Sequence, residues 1–329
     1  MADLKHLVAV GEAVIDYVAT VDDSFLALNA VRKGAQIVLT EEDALRFENL
    51  VRHIKIPGGC AANVVDGFTR LGGNAEFIGK LGPDNDAKLF LNAFDQSKVR
   101  SLCPPGKQPS GRIFTYITPD KERSFASYHG AGYELSVSDL PEEFPEEPIL
   151  YLDGYTLHTP NGFEVFMEAI RKCKKCNGRV VFSPNNIFIL ESYPEHVKSL
   201  AELSDIIFLS EEELAVFTGR EDFEESLKKL DHGKVYIITL GSRGCLVFDH
   251  GREIHIDSVK PEKGVVDLNG AGDAFAAGFL YGISIGLDYN AAGQLATHCA
   301  THIITKEGAR VAHDIRSDIP ESLFSREEE

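Results

Sequence analysis

The sequence predicts an α/β fold in which helices cover both faces of a mostly parallel central sheet. Short β-branched apolar runs alternate with longer helical patterns over most of the 329 residues, and strands that alternate with helices form parallel sheets. One stretch, 112–128, interrupts this alternation of strands and helices. Two runs whose side chains alternate between two faces flank a four-residue turn there, which is typical of a β-hairpin. We therefore expect one domain, residues 1–329, that carries a small second sheet.

Each element has its own pattern in the sequence. The predicted strands of the main sheet are the apolar runs 6–10, 75–78, 149–152, 180–182, 206–209 and 235–240. The predicted helices are 41–53, 61–71, 84–97, 161–175, 211–218 and 288–304. The hairpin pairs 112–118 with 123–128, and the short run 36–39 is a candidate third strand. Such a hairpin either covers a ligand cleft or forms an edge or dimer surface, and the pattern leaves both open.

Composition and charge exclude several classes of protein. The chain has 33 Lys and Arg residues against 51 Asp and Glu residues, a net charge of −18, whereas nucleic-acid binding needs a basic surface. Met1–Val10 lacks the apolar core of a signal peptide. The apolar stretch Ala274–Leu287 is too short to span a bilayer and predicts a buried helix. Six scattered cysteines fit reduced thiols, so we expect a cytoplasmic protein with neither nucleic-acid nor membrane partners.

The most informative motif lies at 265–279. A segment with the pattern of a β-strand is followed there by Gly270-Ala271-Gly272-Asp273 and then by a predicted helix rich in small residues. Glycines permit a tight turn there, so several N–H groups can face the positive end of the helix dipole and bind an anion. Asp273, in the first helical turn, could accept a proton from an attacking hydroxyl at the same place. The plainer interpretation is a glycine turn with an acidic residue that compensates the dipole.

A family resemblance adds to this interpretation. Asp267–Leu280 resembles the C-terminal signature of the PfkB/ribokinase family of sugar and nucleoside kinases. A second family segment is present as Gly58–Asn63, followed by Leu71-Gly72 at the expected distance. The two signatures together are much more specific than either alone, and the resemblance runs from Gly11 to Ala309. It implies a ribokinase-like fold, a small β lid built from segments near 12–57 and 108–131, and transfer of the ATP γ-phosphate to a hydroxymethyl group.

The resemblance also implies roles for individual residues. The expected catalytic residues are the base Asp273, the anion hole Gly270, Ala271 and Gly272, and the lid arginine Arg123. The expected substrate-binding residues are Asp16, Glu12, Gly58, Gly59 and Asn63. The expected cofactor contacts are Thr239, Gly241, Gly244 and Asn269 for ATP, Glu213 for Mg²⁺ through water, and Asp267 for a monovalent cation such as K⁺.

Ordinary structural roles stay open beside these assignments. The glycines at 58–59 could be a helix entry turn capped by Asn63, and 239–244 could be a tight hairpin between two strands. Glutamates 211–213 could be an acidic helix start. Arg123 could be an exposed strand residue without a role.

Departures and absences limit the assignment. Ser210 replaces the Asn of the family's Asn-x-x-Glu, which puts the detail of the metal–water network in doubt, and Leu268 replaces a small or β-branched residue. The chain has no GxxxxGK followed by Ser or Thr, which excludes a P-loop. Gly272 is not followed by a glycine three residues later, so the dinucleotide fingerprint fails.

The acceptor stays open between a sugar and a nucleoside. Segments 21–26 and 35–39 resemble the lid of adenosine kinases, whereas Gly11-Glu12 resembles fructokinases and ketodeoxygluconate kinases. The alternatives are therefore an adenosine kinase specifically, or a catalytically silent sugar or nucleoside sensor with the same fold. In each case the partner is a small molecule, and the hairpin fits both a free lid and a homodimer interface.

Overall fold

Two β-sheets organise the computed structural model, which describes residues 5–262, 264–306, 308–310 and 315–324. The strands in these residues are β1 (Leu7–Val10), β2 (Val14–Thr20), β3 (Gln36–Val38), β4 (Ile54–Gly58), β5 (Ala75–Ile78), β6 (Arg100–Leu102), β7 (Gly111–Ile117), β8 (Arg123–Tyr128), β9 (Ile149–Asp153), β10 (Arg179–Ser183), β11 (Ile206–Ser210), β12 (Val235–Thr239), β13 (Cys245–Asp249) and β14 (Arg252–Ile256). The helices are α1 (Asp23–Leu28), α2 (Glu41–Glu48), α3 (Cys60–Arg70), α4 (Asn85–Ser97), α5 (Gly162–Lys175), α6 (Ile187–Ser192), α7 (Pro194–Leu203), α8 (Glu211–Thr218), α9 (Phe223–Leu227), α10 (Ala271–Ser284) and α11 (Tyr289–Ile304).

The main sheet has nine strands in the order β14-β13-β12-β11-β10-β9-β1-β5-β6. The seven strands from β12 to β6 run parallel, and β13 and β14 add an antiparallel edge. Leu7 and Ala9 of β1 belong to the core formed with α3, α10 and α11, whereas Val8 and Val10 pack with α5 on the opposite face. Both faces are therefore covered, which explains the continuous apolar strands and confirms the predicted fold class.

The predicted strands and helices all exist, and most of their ends agree within one or two residues. The largest difference is in the helix predicted over 41–53, which ends at Glu48. It ends early because the chain must leave α2 to enter β4, whose residues 54–58 pair with β2. The prediction missed five strands, β2, β4, β6, β13 and β14, and four helices, α1, α6, α7 and α9.

The second sheet has five strands in the order β3-β8-β7-β2-β4 and comes from two separate parts of the chain. Strands β7 and β8 form the predicted antiparallel hairpin, and β3 joins β8 as expected. Helices α1 and α2 cover one face, where the Phe47 and Phe114 rings lie 5.8 Å apart and the Tyr17 and Phe114 rings 4.9 Å apart. Neighbouring residues of a strand face opposite sides, so Asp16 faces away from this aromatic layer. That the sheet acts as a lid stays a prediction.

A network of hydrogen-bonded charges joins the second sheet to α4. Asp86 of α4 is 3% exposed and accepts hydrogen bonds from Tyr17 Oη at 2.6 Å, Arg112 Nε at 2.9 Å and Lys55 Nζ at 3.2 Å. Glu48 accepts from Arg112 Nη1 at 2.9 Å. Two cations thus balance two carboxylates, and the charges of the second sheet are anchored on a helix of the main body.

Candidate active site

The turn at Gly270–Asp273 begins α10 and opens toward free space. Gly270 has φ +76°, and a Cβ there would lie 2.6 Å from Ala309 Cα, so only glycine fits. A Cβ on Gly272 would meet no atom of the described residues within 4 Å. Among the same residues no side chain caps the helix, and Ala271 N donates to Leu268 O at 3.3 Å, so the N–H groups that follow Ala271 in the first turn are the ones available to an anion.

Asp273 is held by two neighbours on α3. Asn63 Nδ2 donates to Asp273 Oδ2 at 2.8 Å, and the Cys60 thiol donates to the same carboxylate. Burial raises the pKa of Asp273 to about 6, while these two hydrogen bonds and the positive charge of Arg310 act to lower it. The carboxyl group is therefore ionised near neutral pH with a pKa close to the working pH, as a general base requires.

Two more carboxyl groups lie around Asp273. Burial raises the pKa of Asp16 on β2 to about 7, with Arg310 and Arg123 opposing this shift and Asp273 adding to it. Burial also raises the pKa of Asp153, at the end of β9, to about 7. Asp153 accepts from Ala61 N at 3.2 Å and from Asn185 Nδ2 at 2.7 Å. It therefore ties the start of α3 to the carboxyl edge of the main sheet.

Sequence reasoning missed Arg310, which lies against this group of carboxylates. Arg310 Nε donates to Asn63 Oδ1 at 2.7 Å, and Nη2 donates to Gly58 O at 3.0 Å. Burial lowers the pKa of Arg310 to about 10, although Asp66, Asp16 and Asp273 act to raise it. Its position directly after Gly308-Ala309, where the resemblance ended, was the available signal. Asp153 was also missed, and its signal was an acidic residue that closes an apolar strand.

The glycine pair 58–59 lies between β4 and α3, at a junction of the two sheets. Gly59 has φ +93°, and a Cβ there would lie 2.3 Å from the carbonyl oxygen of Glu12. Gly58 packs against Asp16, since its Cβ would lie 2.6 Å from Asp16 Oδ2. The structure thus brings together Asp16, Gly58, Gly59, Asn63 and Asp273, as the sequence predicted.

Glu12 does not join this group. Its side chain is buried, and its Oε1 lies 2.9 Å from His129 Nδ1. Burial acts to lower the pKa of His129, but the Glu12 carboxylate outweighs it and raises the pKa. The His129 ring also stacks on Tyr133 at 4.8 Å. Glu12 thus contacts His129, which directly follows β8 of the second sheet. Its expected contact with substrate stays a prediction.

Arg123 reaches from β8 to the turn before α10 and forms an ion pair with Asp267. The same carboxylate accepts from Asn269 N at 2.9 Å and Gly308 N at 3.2 Å. Burial acts to raise the pKa of Asp267, but these amide bonds and Arg123 hold it below its ordinary value. A potassium ion at the Asp267 carboxylate would have to replace Arg123, so the arrangement does not favour the expected cation site.

Thr239, Gly241 and Gly244, expected to contact ATP, and Glu213, expected to hold magnesium, lie at the same edge of the main sheet. Thr239 ends β12 beside Ser210, the last residue of β11, and 240–244 joins β12 to antiparallel β13. The segment is thus a connection between two strands, and it lies at the carboxyl ends of the parallel strands, where α/β sheets bind ligands. Gly241 and Gly244 belong to this connection.

Ser210 caps α8 in place of the family's Asn. Its Oγ accepts from Glu213 N at 3.1 Å, while Ser210 N donates to Glu213 Oε2 at 2.7 Å, which is a capping box. Glu213 is 8% exposed, and burial raises its pKa. The departure therefore preserves the helix start that positions Glu213.

Within the described ranges, no three His, Cys, Asp or Glu side chains form a metal site. Magnesium in phosphoryl transfer is held by one or two carboxylates together with substrate phosphates, so the residues present fit that ion. None of the helices described is both long and apolar enough to cross a bilayer.

Comparison with known proteins gives a consistent result. The model of the pfkB family of carbohydrate kinases matches residues 4–316. A fructokinase from Klebsiella pneumoniae is 30% identical over 291 residues, which cover 83% of this chain and 93% of that protein. The structure of adenosine kinase from Sinorhizobium meliloti is 26% identical, with a TM-score of 0.86 over 96% of this chain and 98% of that one. A Vibrio cholerae fructokinase with fructose, ADP and calcium bound shares the fold, with 23% identity and a TM-score of 0.75 over 94% and 96%.

Proposed function

The chain belongs to the pfkB family of carbohydrate kinases, and from this membership we propose that it transfers the γ-phosphoryl group of ATP to a hydroxymethyl group of a sugar or nucleoside. The observation that carries the proposal is Asp273, ionisable near pH 6, in the first turn of a helix where an added Cβ on the neighbouring Gly272 would meet no described atom within 4 Å. A base and an anion site therefore share one place, as phosphoryl transfer requires.

The transfer divides among the residues as follows. Asp16 and Asn63 hold the acceptor hydroxyls, and Asp273 takes the proton of the attacking hydroxyl. The acceptor oxygen forms its bond to the γ-phosphorus as the bond to the ADP oxygen breaks. The N–H groups of Gly270, Ala271 and Gly272 bind the charge that develops on the transferring group.

The remaining residues act on the nucleotide side. Thr239, Gly241, Gly244 and Asn269 line the ATP phosphates and ribose, and Arg123 exchanges Asp267 for the phosphoryl oxygens as the second sheet closes as a lid. Glu213 would hold magnesium through water, and the bound ion would supply positive charge to offset that of the phosphates.

A substrate panel tests the proposal. Purified protein with MgATP is offered adenosine, ribose, fructose and ketodeoxygluconate, and ADP release and phosphorylated product are both measured. We expect transfer to one or a narrow group of these acceptors. Asp273→Asn should lose about 10²–10⁴-fold in kcat and still bind ATP in a calorimetric titration.

Asp222→Asn is the matched control, because Asp222 caps α9 by accepting from Glu225 N at 2.9 Å, and Asn caps equally well. It should behave as the wild type. Near-normal turnover by Asp273→Asn would contradict the assigned base. Tight acceptor binding by a wild type that is inactive with every acceptor would instead favour the sensor.

A further inference from the structure

We propose that Arg310 is a positioning residue that sets the orientation of Asn63 and the proton affinity of the base Asp273. The proposal rests on the function proposed above and concerns a residue outside both sequence signatures. It starts from a chain of three groups, in which Arg310 donates to Asn63 at 2.7 Å and Asn63 donates to Asp273 at 2.8 Å.

The two ends of this chain fix the amide between them. A guanidinium only donates hydrogen bonds, and an ionised carboxylate only accepts them. The Asn63 side chain must therefore turn Oδ1 to Arg310 and Nδ2 to Asp273. Without Arg310, the amide could rotate and present its oxygen to the carboxylate, where the two acceptors would repel.

The amide also separates two opposite charges. A guanidinium in direct contact with a carboxylate lowers the carboxyl pKa by about 1–3 units, which would make Asp273 a weak base. Through Asn63, Arg310 acts on Asp273 only at longer range, and the pKa of Asp273 stays at about 6. Arg310 thus favours the ionised form of Asp273 at neutral pH without forming a direct ion pair with its carboxylate.

The same guanidinium fixes the junction of the two sheets. Its Nη2 donates to Gly58 O at 3.0 Å, one residue before Gly59 and the start of α3. The rings of Phe90 and Phe94 on α4 lie 5.1 Å and 5.2 Å from its central carbon, which holds the group by cation–π contact. One side chain therefore aligns the base, the acceptor-binding amide and the end of β4.

Other titratable groups also act on the two ends of the chain. Cys60 on α3 lowers the pKa of Asp273 by hydrogen bonding, while the charge of Asp273 in turn raises the pKa of Cys60, of Asp16 on β2, of Tyr151 and Asp153 on β9, and of Tyr155 just after β9. Asp66 and Arg70 of α3 act on Arg310 from its other side. Arg310 is the charge that lowers the pKa of Asp273, so its removal has a predictable direction.

The test compares Arg310→Met, which loses the charge and the hydrogen bonds, with Arg310→Lys, which keeps the charge. The acid limb of the pH profile of kcat/KM for the acceptor gives the pKa of the base. The midpoint of this limb should lie near pH 6 in the wild type. In Arg310→Met we expect it about one pH unit higher, hence about a tenfold loss of kcat/KM at pH 5. Arg310→Lys should keep the limb near pH 6 and lose kcat, because one ammonium cannot replace a planar fork of donors.

Arg316→Met is the control, because Arg316 also ties the C-terminal segment down, through Leu71 O and Tyr281 Oη at 2.8 Å each. It should leave the limb unmoved. An equal shift in Arg316→Met, or an unshifted limb in a folded Arg310→Met, would overturn the proposal. If Arg310→Met does not fold, Arg310→Gln, which keeps a donor without the charge, takes its place.

A second readout is independent of kinase activity. Carboxyl ¹³C NMR of labelled aspartate, with Asp273→Asn to assign the resonance, gives the pKa of Asp273 in the wild type and in Arg310→Met. A higher pKa in the variant supports the proposal even if no acceptor on the panel is phosphorylated. An unchanged pKa overturns it even if the wild type is an active kinase.

Discussion

Asp86 anchors the second sheet on α4, and Asp86→Asn tests how strongly. The side chain is 4% exposed and accepts from Tyr17, Arg112 and Lys55 at 2.6 Å, 2.9 Å and 3.2 Å. Asparagine keeps one acceptor oxygen, replaces the other with a donor and removes the charge. Arg112 and Lys55 are then left with Glu48 as the carboxylate that they share.

The expected loss follows from these contacts. Removing one partner of a buried ion pair costs about 3–5 kcal/mol, and hydrogen bonds to charged groups are worth about 1.5–3 kcal/mol each. Lys55 is 38% exposed, so water replaces much of its share. We therefore expect about 3 kcal/mol of lost unfolding free energy. With an unfolding entropy of roughly 2.1 cal/mol/K per residue, this corresponds to a Tm lowered by about 4 °C.

The assay is thermal and urea unfolding followed by circular dichroism, with Asp120→Asn as the control. Asp120 accepts from Lys33 Nζ at 2.6 Å, but it is 58% exposed, so its loss should leave the Tm nearly unchanged. In Asp86→Asn, the further change Arg112→Met should cost less than it does alone, because Arg112 has already lost one of its two carboxylate partners and keeps only Glu48. A Tm for Asp86→Asn within 1 °C of the wild type, or equal losses in the two single variants, would refute the anchoring role.

Two further predictions concern the turns that begin α8 and α10. Ser210→Ala should lower the unfolding free energy by about 1 kcal/mol, because it removes the cap on Glu213 N, whereas Ser210→Asn should leave it nearly unchanged; equal urea midpoints for the two variants would contradict the capping role. Gly270→Ala should lower both Tm and ATP affinity, because φ +76° strains alanine and its Cβ would overlap Ala309, whereas Gly272→Ala, with open space around its Cβ, should keep the Tm; wild-type calorimetric ATP affinity in Gly270→Ala would contradict the anion turn.

The main sheet could be predicted because burial on both faces leaves a direct pattern in the sequence. β1 packs apolar residues in both directions, so its strand is apolar without interruption. The start of α8 was readable for a local reason, since Ser210 and Glu213 are three residues apart. The predicted end of a helix was wrong where pairing with a distant strand sets it, as at the end of α2.

The site was predictable only in part, because much of it depends on contacts between distant residues. The glycine turn and Asp273 form a local motif, because the residues that make it are adjacent in the sequence. Arg310 contacts Asn63 across 247 positions, and Glu12 contacts His129 across 117. No local pattern distinguishes an arginine that will meet such a partner from one that will face water.

The order in which the elements leave the ribosome has a consequence for the chemistry. Every strand of the two sheets described above is complete at Ile256, whereas Asp267, the turn at Gly270–Asp273 and Arg310 all follow it. In a nascent chain the carboxyl group of Asp16 therefore has no counter-charge from Arg310 until the C-terminal segment has been synthesised. The part of the chain after β14 supplies the anion turn, the base and the guanidinium together with α10 and α11, which cover one face of the main sheet, so a protein truncated after β14 would lose the reaction and that cover together.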